Sequence, residues 1–169
     1  EVLLRHVLGW SQAQLVSRLD SELDDRAGRQ FDALVERRLR REPVAYITSK
    51  QEFWSLEFHV APAVLVPRPE TECLVETALN LLAASANQIP RIADLGTGSG
   101  AIAISLATEL PQARITAVDV SPAALELARV NALRHRVAER VKFVCADLFG
   151  GFEAGECFDC FDCVDCIVF

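Results

Sequence analysis

Three glycines at alternate positions join a strand-like segment to a helix-like one. Residues 94–100 read Asp-Leu-Gly-Thr-Gly-Ser-Gly; they follow the short run at 91–93 and precede the apolar run at 101–110. Glycine accepts a positive φ and lets a ligand approach the backbone closely, and the first turn of the following helix offers unpaired N–H groups. A tight turn alone would also explain this glycine loop, so its meaning depends on the residues around it.

Strand-like and helix-like segments alternate from Ile89 onward. The predicted strands end at Asp94, Val120 and Ala146, and the predicted helices between them cover residues 100–110 and 122–135. This alternation is typical of a parallel sheet with right-handed crossovers. We therefore expect an α/β fold whose ligands bind beyond the carboxyl ends of the strands.

The first quarter of the chain has a helical pattern. Residues 1–42 carry apolar residues at helical spacing, for example Leu15, Leu19 and Leu23. Glycine and aspartate at residues 24–28 predict a break between two helices. We expect a small helical domain that ends at Pro43.

Residues 44–62 differ in composition from the segments on either side. They are rich in aromatic and β-branched residues and partly alternate, which predicts a β-hairpin connector that includes residues 46–48. The prolines that follow predict an extended segment and then a helix that starts at Pro69 or Glu70. The predicted organisation is a helical domain (1–43), a connector (44–62) and an α/β domain (63–169).

Charge and hydropathy exclude several classes of protein. The formal net charge of −7 argues against the broad basic surface that binds a nucleic-acid backbone. No apolar run approaches the ~20 residues of a membrane span, and the first residues lack a cleavable signal pattern. We expect a cytoplasmic protein with no membrane contact and no direct nucleic-acid contact. The chain begins at Glu1 and contains no methionine, so we also expect it to be part of a longer protein.

Carboxylates stand at three successive predicted strand ends. They are Asp94, Asp119 and Asp147, and we expect them to share one edge of the sheet. Asp119 follows Gly100 by nineteen residues, close to the ~20-residue offset at which an acidic residue reaches the ribose hydroxyls of a nucleotide. Helix capping would also explain Asp119, but Ser121 is already a good N-cap for the next helix.

The loop and its neighbouring carboxylate favour one kind of cofactor. The spacing is Gly-x-Gly-x-Gly rather than the Gly-x-Gly-x-x-Gly of dinucleotide sites. The negative charge of Asp94 beside the loop disfavours a pyrophosphate and favours a cationic sulfonium. We therefore predict S-adenosylmethionine rather than NAD, with Asp147 and Leu148 at the adenine.

Several longer segments resemble the PrmC/HemK family. The resemblance is carried by Glu-Pro-Val-Ala-Tyr-Ile at 42–47, Glu-Phe-Trp at 52–54, Val-Ala-Pro-Ala-Val-Leu-Val-Pro-Arg-Pro-Glu-Thr-Glu at 60–72, the glycine loop with Ala-Ile-Ala after it, and Ala-Val-Asp at 117–119. It implies an α/β fold: a partial class I methyltransferase (Rossmann-like) parallel sheet, preceded by a small N-terminal helical domain and a β-hairpin connector.

The resemblance also implies an activity and a set of site residues. Family members use S-adenosylmethionine to methylate the side-chain amide of glutamine in the Gly-Gly-Gln motif of class 1 peptide-chain release factors, and their N-terminal domain helps to hold the release factor. The implied cofactor-binding residues are Asp94, Gly96, Thr97, Gly98, Ser99, Gly100, Asp119, Asp147 and Leu148. Arg68 and Glu70 either order the segment that closes over the cofactor or form a salt bridge that anchors a helix start.

The chain departs from the family pattern at its last residues. Family members continue from a Phe-Asp-x-Ile-Val strand into Asn-Pro-Pro-Tyr, which holds the substrate amide. Here residues 165–169 match the strand, and Asn-Pro-Pro-Tyr does not occur in the 169 residues. No catalytic residue is therefore assigned, and we expect little or no methyltransferase activity from the chain as written. The alternatives are a ribosomal-protein glutamine methyltransferase, an amino-methyltransferase acting on nucleic acid, and a non-catalytic module that binds cofactor or release factor.

Cysteines recur at every third residue near the end of the chain. They are Cys157, Cys160, Cys163 and Cys166. Repeated Cys-x-x-Cys is common in metal sites, but zinc ribbons separate two such pairs by a longer loop. We interpret the repeat as a local duplication ahead of a strand or as an error in the sequence, and we predict no metal. Two further cysteines, Cys73 and Cys145, are predicted to be buried apolar residues.

Overall fold

The computed structural model describes residues 1–83, 89–153, 158 and 160–163, the last four by their backbone alone. These residues form two compact units, Glu1–Ser49 and Lys50–Phe169.

The first unit is helical, as predicted. Its helices are α1 (Val2–Leu8), α2 (Gln12–Ser17), α3 (Asp25–Leu39) and α4 (Val44–Thr48). A capping box starts α2, because the Ser11 hydroxyl accepts from the Gln14 backbone N–H and the Gln14 side chain accepts from the Ser11 N–H.

The predicted break between two helices exists, but it lies between Ser17 and Asp25 rather than at residues 24–28. Asp24 caps α3, since its Oδ1 accepts the backbone N–H of Ala27 at 2.7 Å, and Gly28 lies inside that helix. The break comes earlier, and both Leu19 and Leu23 lie outside helices and are exposed. A strong N-cap therefore decides where α3 begins, and the glycine is tolerated in its first turns.

The predicted strand at residues 46–48 is also wrong. Val44–Thr48 is helix α4, which follows Pro43 and ends at Ser49 in the left-handed region, with φ of 57°. The Thr48 hydroxyl donates to the Val44 carbonyl at 3.0 Å. A single helical turn satisfies this β-branched residue locally, so the hairpin begins only at Lys50.

The hairpin consists of β1 (Lys50–Phe53) and β2 (Leu56–His59), paired antiparallel. Its two-residue turn has positive φ at both Trp54 and Ser55, 51° and 56°. Turns of this geometry usually carry glycine or asparagine, so these two residues hold the turn under some backbone strain.

Polar contacts fasten the hairpin to the second unit. The Trp54 backbone N–H donates to Glu72 Oε1 and its indole Nε1 donates to Glu109 Oε1, both at 2.8 Å. Glu57 pairs with Lys50 on the neighbouring strand and with Arg134. The hairpin and these partners all lie within the unit Lys50–Phe169.

The predicted parallel sheet is confirmed. Its strands are β3 (Arg91–Leu95), β4 (Arg114–Asp119), β5 (Val141–Cys145) and β6 (Cys160–Cys163), in the order β5-β4-β3-β6. All neighbouring strands run parallel. Buried Ala93, Leu95 and Val118 form one hydrophobic cluster within this sheet.

Helices accompany the strands where the sequence predicted them. They are α5 (Glu72–Ala83), preceded by a 3₁₀ turn at Pro69–Thr71, α6 (Ala101–Glu109) and α7 (Pro122–Arg134). Every residue of α6 from Ala101 to Ala107 is buried, as expected for a crossover helix between layers. Ser121 caps α7 as predicted, because its hydroxyl accepts the Ala124 N–H.

The cysteine predictions have a mixed outcome. Cys73 and Cys145 are exposed, so their predicted burial is wrong. Cys73 is on an outward position of α5 and Cys145 ends strand β5, which lies at one edge of the sheet. Cys157 and Cys166 lie outside the described residues, as does the predicted strand at 165–169. Among the residues that the structure describes, no three potential metal ligands lie together.

Within the same described part of the chain, no helix has both the length and the apolar character needed to cross a membrane.

Candidate cofactor-binding site

The glycine loop is held against the neighbouring strand by its own backbone. The N–H groups of Gly96 and Thr97 both donate to the Val118 carbonyl, at 2.8 and 2.9 Å. The Gly100 N–H donates to the Thr97 carbonyl at 2.8 Å. The three glycines have φ of 77°, 54° and 80°, so the loop conformation depends on glycine at each of these positions.

Asp94 is fully buried and stabilises the glycine loop from its buried side. Its Oδ2 accepts the Thr97 hydroxyl at 2.6 Å and the backbone N–H of Ala103 at 3.2 Å. Ala103 lies in the first turn of α6. The Asp94 carboxylate therefore accepts an N–H that an N-cap side chain would otherwise accept, because the N-cap residue Gly100 has no side chain. The negative charge also compensates the positive end of the helix dipole, which leaves this helix start less suited to a phosphate.

Two glycines of the loop have different surroundings. A Cβ built on Gly100 would lie 2.8 Å from Ile104 Cδ1 and 3.1 Å from Ala128 Cβ, which is too close. A Cβ built on Gly98 would meet nothing nearer than 3.9 Å, and one of its two neighbours would be the Cβ of Val64. A methyl group at Gly100 would therefore disturb the packing between α6 and α7, whereas one at Gly98 would make only ordinary van der Waals contacts.

Asp119 connects the ends of β3 and β4. Its Oδ2 accepts the Gly98 N–H and its Oδ1 accepts the Ser121 N–H, each at 2.9 Å. An ionised carboxylate has about four acceptor positions, so each oxygen of this half-buried side chain retains capacity for a further donor. Asp119 thus fixes the loop and could also accept two hydroxyl groups of a ligand.

Apolar side chains are exposed beside these carboxylates. Val120 follows Asp119 and is 64% exposed, and Leu148 follows the exposed Asp147 and is 40% exposed. Residues 119 and 145 are register partners on β4 and β5, so both apolar residues stand at the same edge of the sheet. Leu148 has φ of 44°, an uncommon conformation for a branched residue that often marks a functional site.

Some of the remaining predicted site residues are buried and others are exposed. Thr97 and Ser99 are buried, so the part of the loop near Gly98 is the more accessible. Arg68 and Glu70 are exposed. No ion pair joins them in the described ranges, and their alternative role as a salt bridge is not supported.

The sequence analysis did not single out Val64, Val120 or Asn131. Asn131 is fully buried and bonds to both the loop and the hairpin. The one available signal was a lone amide on the buried face of α7, between Ala128 and Ala132. Val120 could have been found as an apolar residue directly after the strand-end carboxylate.

The site has the right chemistry for a nucleoside with a cationic substituent. The bare backbone at Gly98 allows close approach, Asp119 can accept a diol, and Val120 and Leu148 offer apolar surface for a flat ring. Asp94 adds negative charge behind the loop.

Comparison with known proteins agrees with this description. Residues 1–48 match the family described as PrmC N-terminal domain, and residues 92–169 match the family described as methyltransferase domain. The fold and the site thus define a class I, Rossmann-like methyltransferase domain preceded by a helical unit. Proteins named release factor glutamine methyltransferase from Burkholderia pseudomallei, Escherichia coli and Chlorobaculum tepidum are 46%, 45% and 47% identical over 91%, 94% and 87% of this chain. The chain belongs to the PrmC/HemK family.

The match covers only part of those relatives. It spans 55%, 55% and 51% of their lengths, so the chain spans about half the length of the curated relatives it matches. Among solved structures, the delta-N METTL16 MTase domain has a TM-score of 0.53 at 19% identity, over 65% of this chain and 51% of that one. That likeness concerns the fold alone.

Proposed function

We propose that the protein methylates the side-chain amide of the glutamine in the Gly-Gly-Gln motif of class 1 release factors, with S-adenosylmethionine as methyl donor. The reaction belongs to translation termination and takes place in the cytoplasm. The observation that carries the proposal is an identity of 45–47% to three proteins named release factor glutamine methyltransferase, in a chain whose glycine loop is tied to a strand-end carboxylate.

The described residues hold the donor half of such a reaction. When bound, S-adenosylmethionine supplies an electrophilic methyl group on a sulfonium. Gly98 lets its methionine part approach the backbone, Asp119 accepts the ribose hydroxyls, and Val120 with Leu148 cover the adenine. Asp94 keeps the loop in shape and contributes negative charge near the sulfonium.

The acceptor half of the reaction is proposed for the whole protein. A glutamine amide is a weak nucleophile, and alignment of two reactants can lower a barrier by ~7–11 kcal/mol. The family resemblance assigns this alignment to Asn-Pro-Pro-Tyr, which is not among the 169 residues. We therefore assign donor binding to the residues described and acceptor alignment to the whole protein.

Cofactor binding and transfer are tested separately. Calorimetry with S-adenosylhomocysteine on the 169-residue chain is expected to show one site, and Asp119→Ala is expected to weaken it by about tenfold or more, since a pair of hydrogen bonds to a charged group is lost. Arg114→Gln, at the opposite end of the same strand, is the control. No measurable binding by a folded chain would contradict the cofactor assignment.

Transfer is tested on a chain extended by its downstream coding sequence. Labelled methyl groups from S-adenosylmethionine should reach a release factor with Gly-Gly-Gln and should not reach one with Gly-Gly-Ala. Ribosomal proteins and RNA, offered as competing acceptors, should remain unlabelled. Labelling of either one in preference to the release factor would overturn the substrate assignment.

A further inference from the structure

Asn131 joins the glycine loop to the hairpin through all the polar groups of its side chain. It is fully buried in α7. Its Oδ1 accepts the His59 backbone N–H at 2.7 Å. Its Nδ2 donates to the His59 carbonyl at 3.0 Å and to the Ser99 carbonyl at 2.9 Å. The partners determine the orientation of the amide, because the opposite orientation would place the NH₂ group against an N–H and the oxygen against two carbonyls.

On the loop side, this contact fixes one peptide plane. The peptide between Ser99 and Gly100 has its carbonyl on Asn131 and its N–H on the Thr97 carbonyl. Gly98 and Gly100 flank Ser99, and both have positive φ. Glycine rotates readily about these bonds, so a peptide between two glycines needs an external partner to keep one orientation.

On the hairpin side, the contact fixes the point where the chain leaves β2. His59 is the last residue of that strand, and the buried Val60 follows it. The chain then returns to the loop at Val64, whose Cβ would lie 4.0 Å from a Cβ on Gly98. The segment that leaves the hairpin therefore meets the loop twice, once through Asn131 and once at Val64.

We propose that Asn131 is a positioning residue that couples the hairpin to the glycine loop and keeps the loop in its binding shape before the cofactor arrives. Such preorganisation raises affinity because less conformational freedom is lost on binding. The inference rests on the proposed function in taking the loop as the cofactor site. By linkage, cofactor binding must then also restrict the hairpin at His59.

Asn131→Leu tests the coupling with a side chain that keeps the number and branching of the heavy atoms but cannot form hydrogen bonds. It removes all three hydrogen bonds and leaves three buried backbone groups without their partners. We expect affinity for S-adenosylhomocysteine to fall by about tenfold or more. In the chain without ligand, hydrogen exchange measured by NMR should become faster at the amides of His59 and Gly100 together.

Two further variants separate positioning from ordinary core packing. Leu125→Ala removes a fully buried side chain from the same helix without removing a polar link to the loop. Its affinity should stay within about twofold of the unaltered chain. Asn131→Asp keeps an acceptor for the His59 N–H but loses the donor to the carbonyls of His59 and Ser99. The increase in exchange rate should therefore be larger at Gly100 than at His59.

The outcomes decide between the two roles. The two variants are compared under conditions that give them equal free energies of unfolding. The coupling is overturned if Asn131→Leu and Leu125→Ala then lose the same affinity and show the same increase in exchange rate. If Asn131→Leu does not fold, the unaltered chain decides: saturating S-adenosylhomocysteine should slow exchange at His59 as well as in the loop, and slowing confined to the loop overturns the inference. Failure of the unaltered chain to bind S-adenosylhomocysteine refutes the proposed function, while exchange in the ligand-free variants still decides the coupling.

Discussion

At the scale of single residues, the glycine loop combines two kinds of requirement. A side chain at Gly100 would crowd Ile104 of α6 and Ala128 of α7, whereas a Cβ at Gly98 would meet its neighbours only at ordinary contact distance. Both have positive φ. A motif that looks uniform in sequence therefore contains one position set by packing and another available to a ligand.

The pair gives a prediction about stability and binding. Gly100→Ala should lower the free energy of unfolding by about 2–4 kcal/mol, because overpacking adds to the strain of a left-handed conformation. Gly98→Ala should lower it by only about 1–2 kcal/mol but should weaken S-adenosylhomocysteine binding more than Gly100→Ala does in the folded fraction. Urea unfolding and calorimetry measure the two effects. The reverse ranking of stabilities would contradict the packing explanation.

At the scale of elements, the hairpin turn stores strain that its partners offset. Trp54 and Ser55 both have positive φ, and Glu72 and Glu109 accept the two N–H groups of the tryptophan. Trp54 is thereby committed to contacts with α5 and α6, whereas the side chain of Ser55 is exposed. The strain at Ser55 is the part that a substitution can relieve without removing a contact between elements.

Ser55→Gly is predicted to stabilise the chain. Glycine removes about 1–2 kcal/mol of left-handed strain and adds about 0.5–1 kcal/mol of backbone entropy to the unfolded state, so the free energy of unfolding should rise by about 0.5–1 kcal/mol. Thermal and urea unfolding measure the change. Ser55→Ala retains the Cβ and serves as the control, with no gain expected. If the glycine variant is less stable, Ser55 makes a contact whose stabilising free energy exceeds the cost of its backbone strain.

The ion pairs of the hairpin give a prediction about pH. Burial raises the pKa of Glu57, but hydrogen bonds and charge from Lys50 and Arg134 outweigh it and hold the pKa below its ordinary value. A carboxyl with a lowered folded-state pKa stabilises the fold above its unfolded pKa, and this contribution is lost as pH falls through the folded pKa. The half-exposed pairs are worth about 0–1 kcal/mol.

Glu57→Gln should therefore be less stable than the unaltered chain at neutral pH, and the difference should shrink as pH falls below about 4.5. Urea unfolding between neutral and acidic pH measures it. Glu126→Gln makes the same charge change on α7, at a carboxylate paired with Arg129 but remote from the hairpin. If the difference in free energy of unfolding between Glu57→Gln and the unaltered chain does not change with pH, the ionised Glu57 carboxylate does not stabilise the fold.

The elements themselves could largely be predicted from the sequence. The strands and helices from Arg91 to Cys145 are set by local apolar periodicity and caps such as Ser121. Strand β6 (Cys160–Cys163) was not predicted, because the sequence pattern places the strand after the cysteine repeat, at residues 165–169. Residues 44–48 were assigned wrongly because their β-branched and aromatic composition favours a strand, whereas one turn after Pro43 satisfies them as a helix. Asn131 was not singled out because its partners are 72 and 32 residues away in sequence. Periodicity carries no information about such contacts.

At the scale of the whole molecule, the two units differ in charge. Residues 1–49 carry eight basic and eight acidic side chains, so the net charge of −7 belongs to residues 50–169. In the first unit, the hydrogen bond and charge between Arg37 and Glu42 raise the pKa of the arginine and lower that of the glutamate. The net negative charge of the sequence therefore lies in the methyltransferase unit, and a net charge of this sign attracts basic partners.

The division into two units predicts that cofactor binding survives removal of the first. All the side chains that shape the site, from Val64 to Leu148, belong to residues 50–169, and the hairpin is fastened within the same unit. A chain of residues 50–169 should bind S-adenosylhomocysteine within about threefold of the 169-residue chain, since distant sites contribute nearly independently. Calorimetry on both chains measures this, with Asp119→Ala in each as the control for specific binding.

Affinity for a release factor, measured in the same way, should fall much more, because the family resemblance gives the helical unit a role in holding that partner. A chain of residues 50–169 that folds but has lost cofactor affinity would show that the first unit contributes to the site, and unchanged release-factor affinity would assign the partner contact to the methyltransferase unit alone.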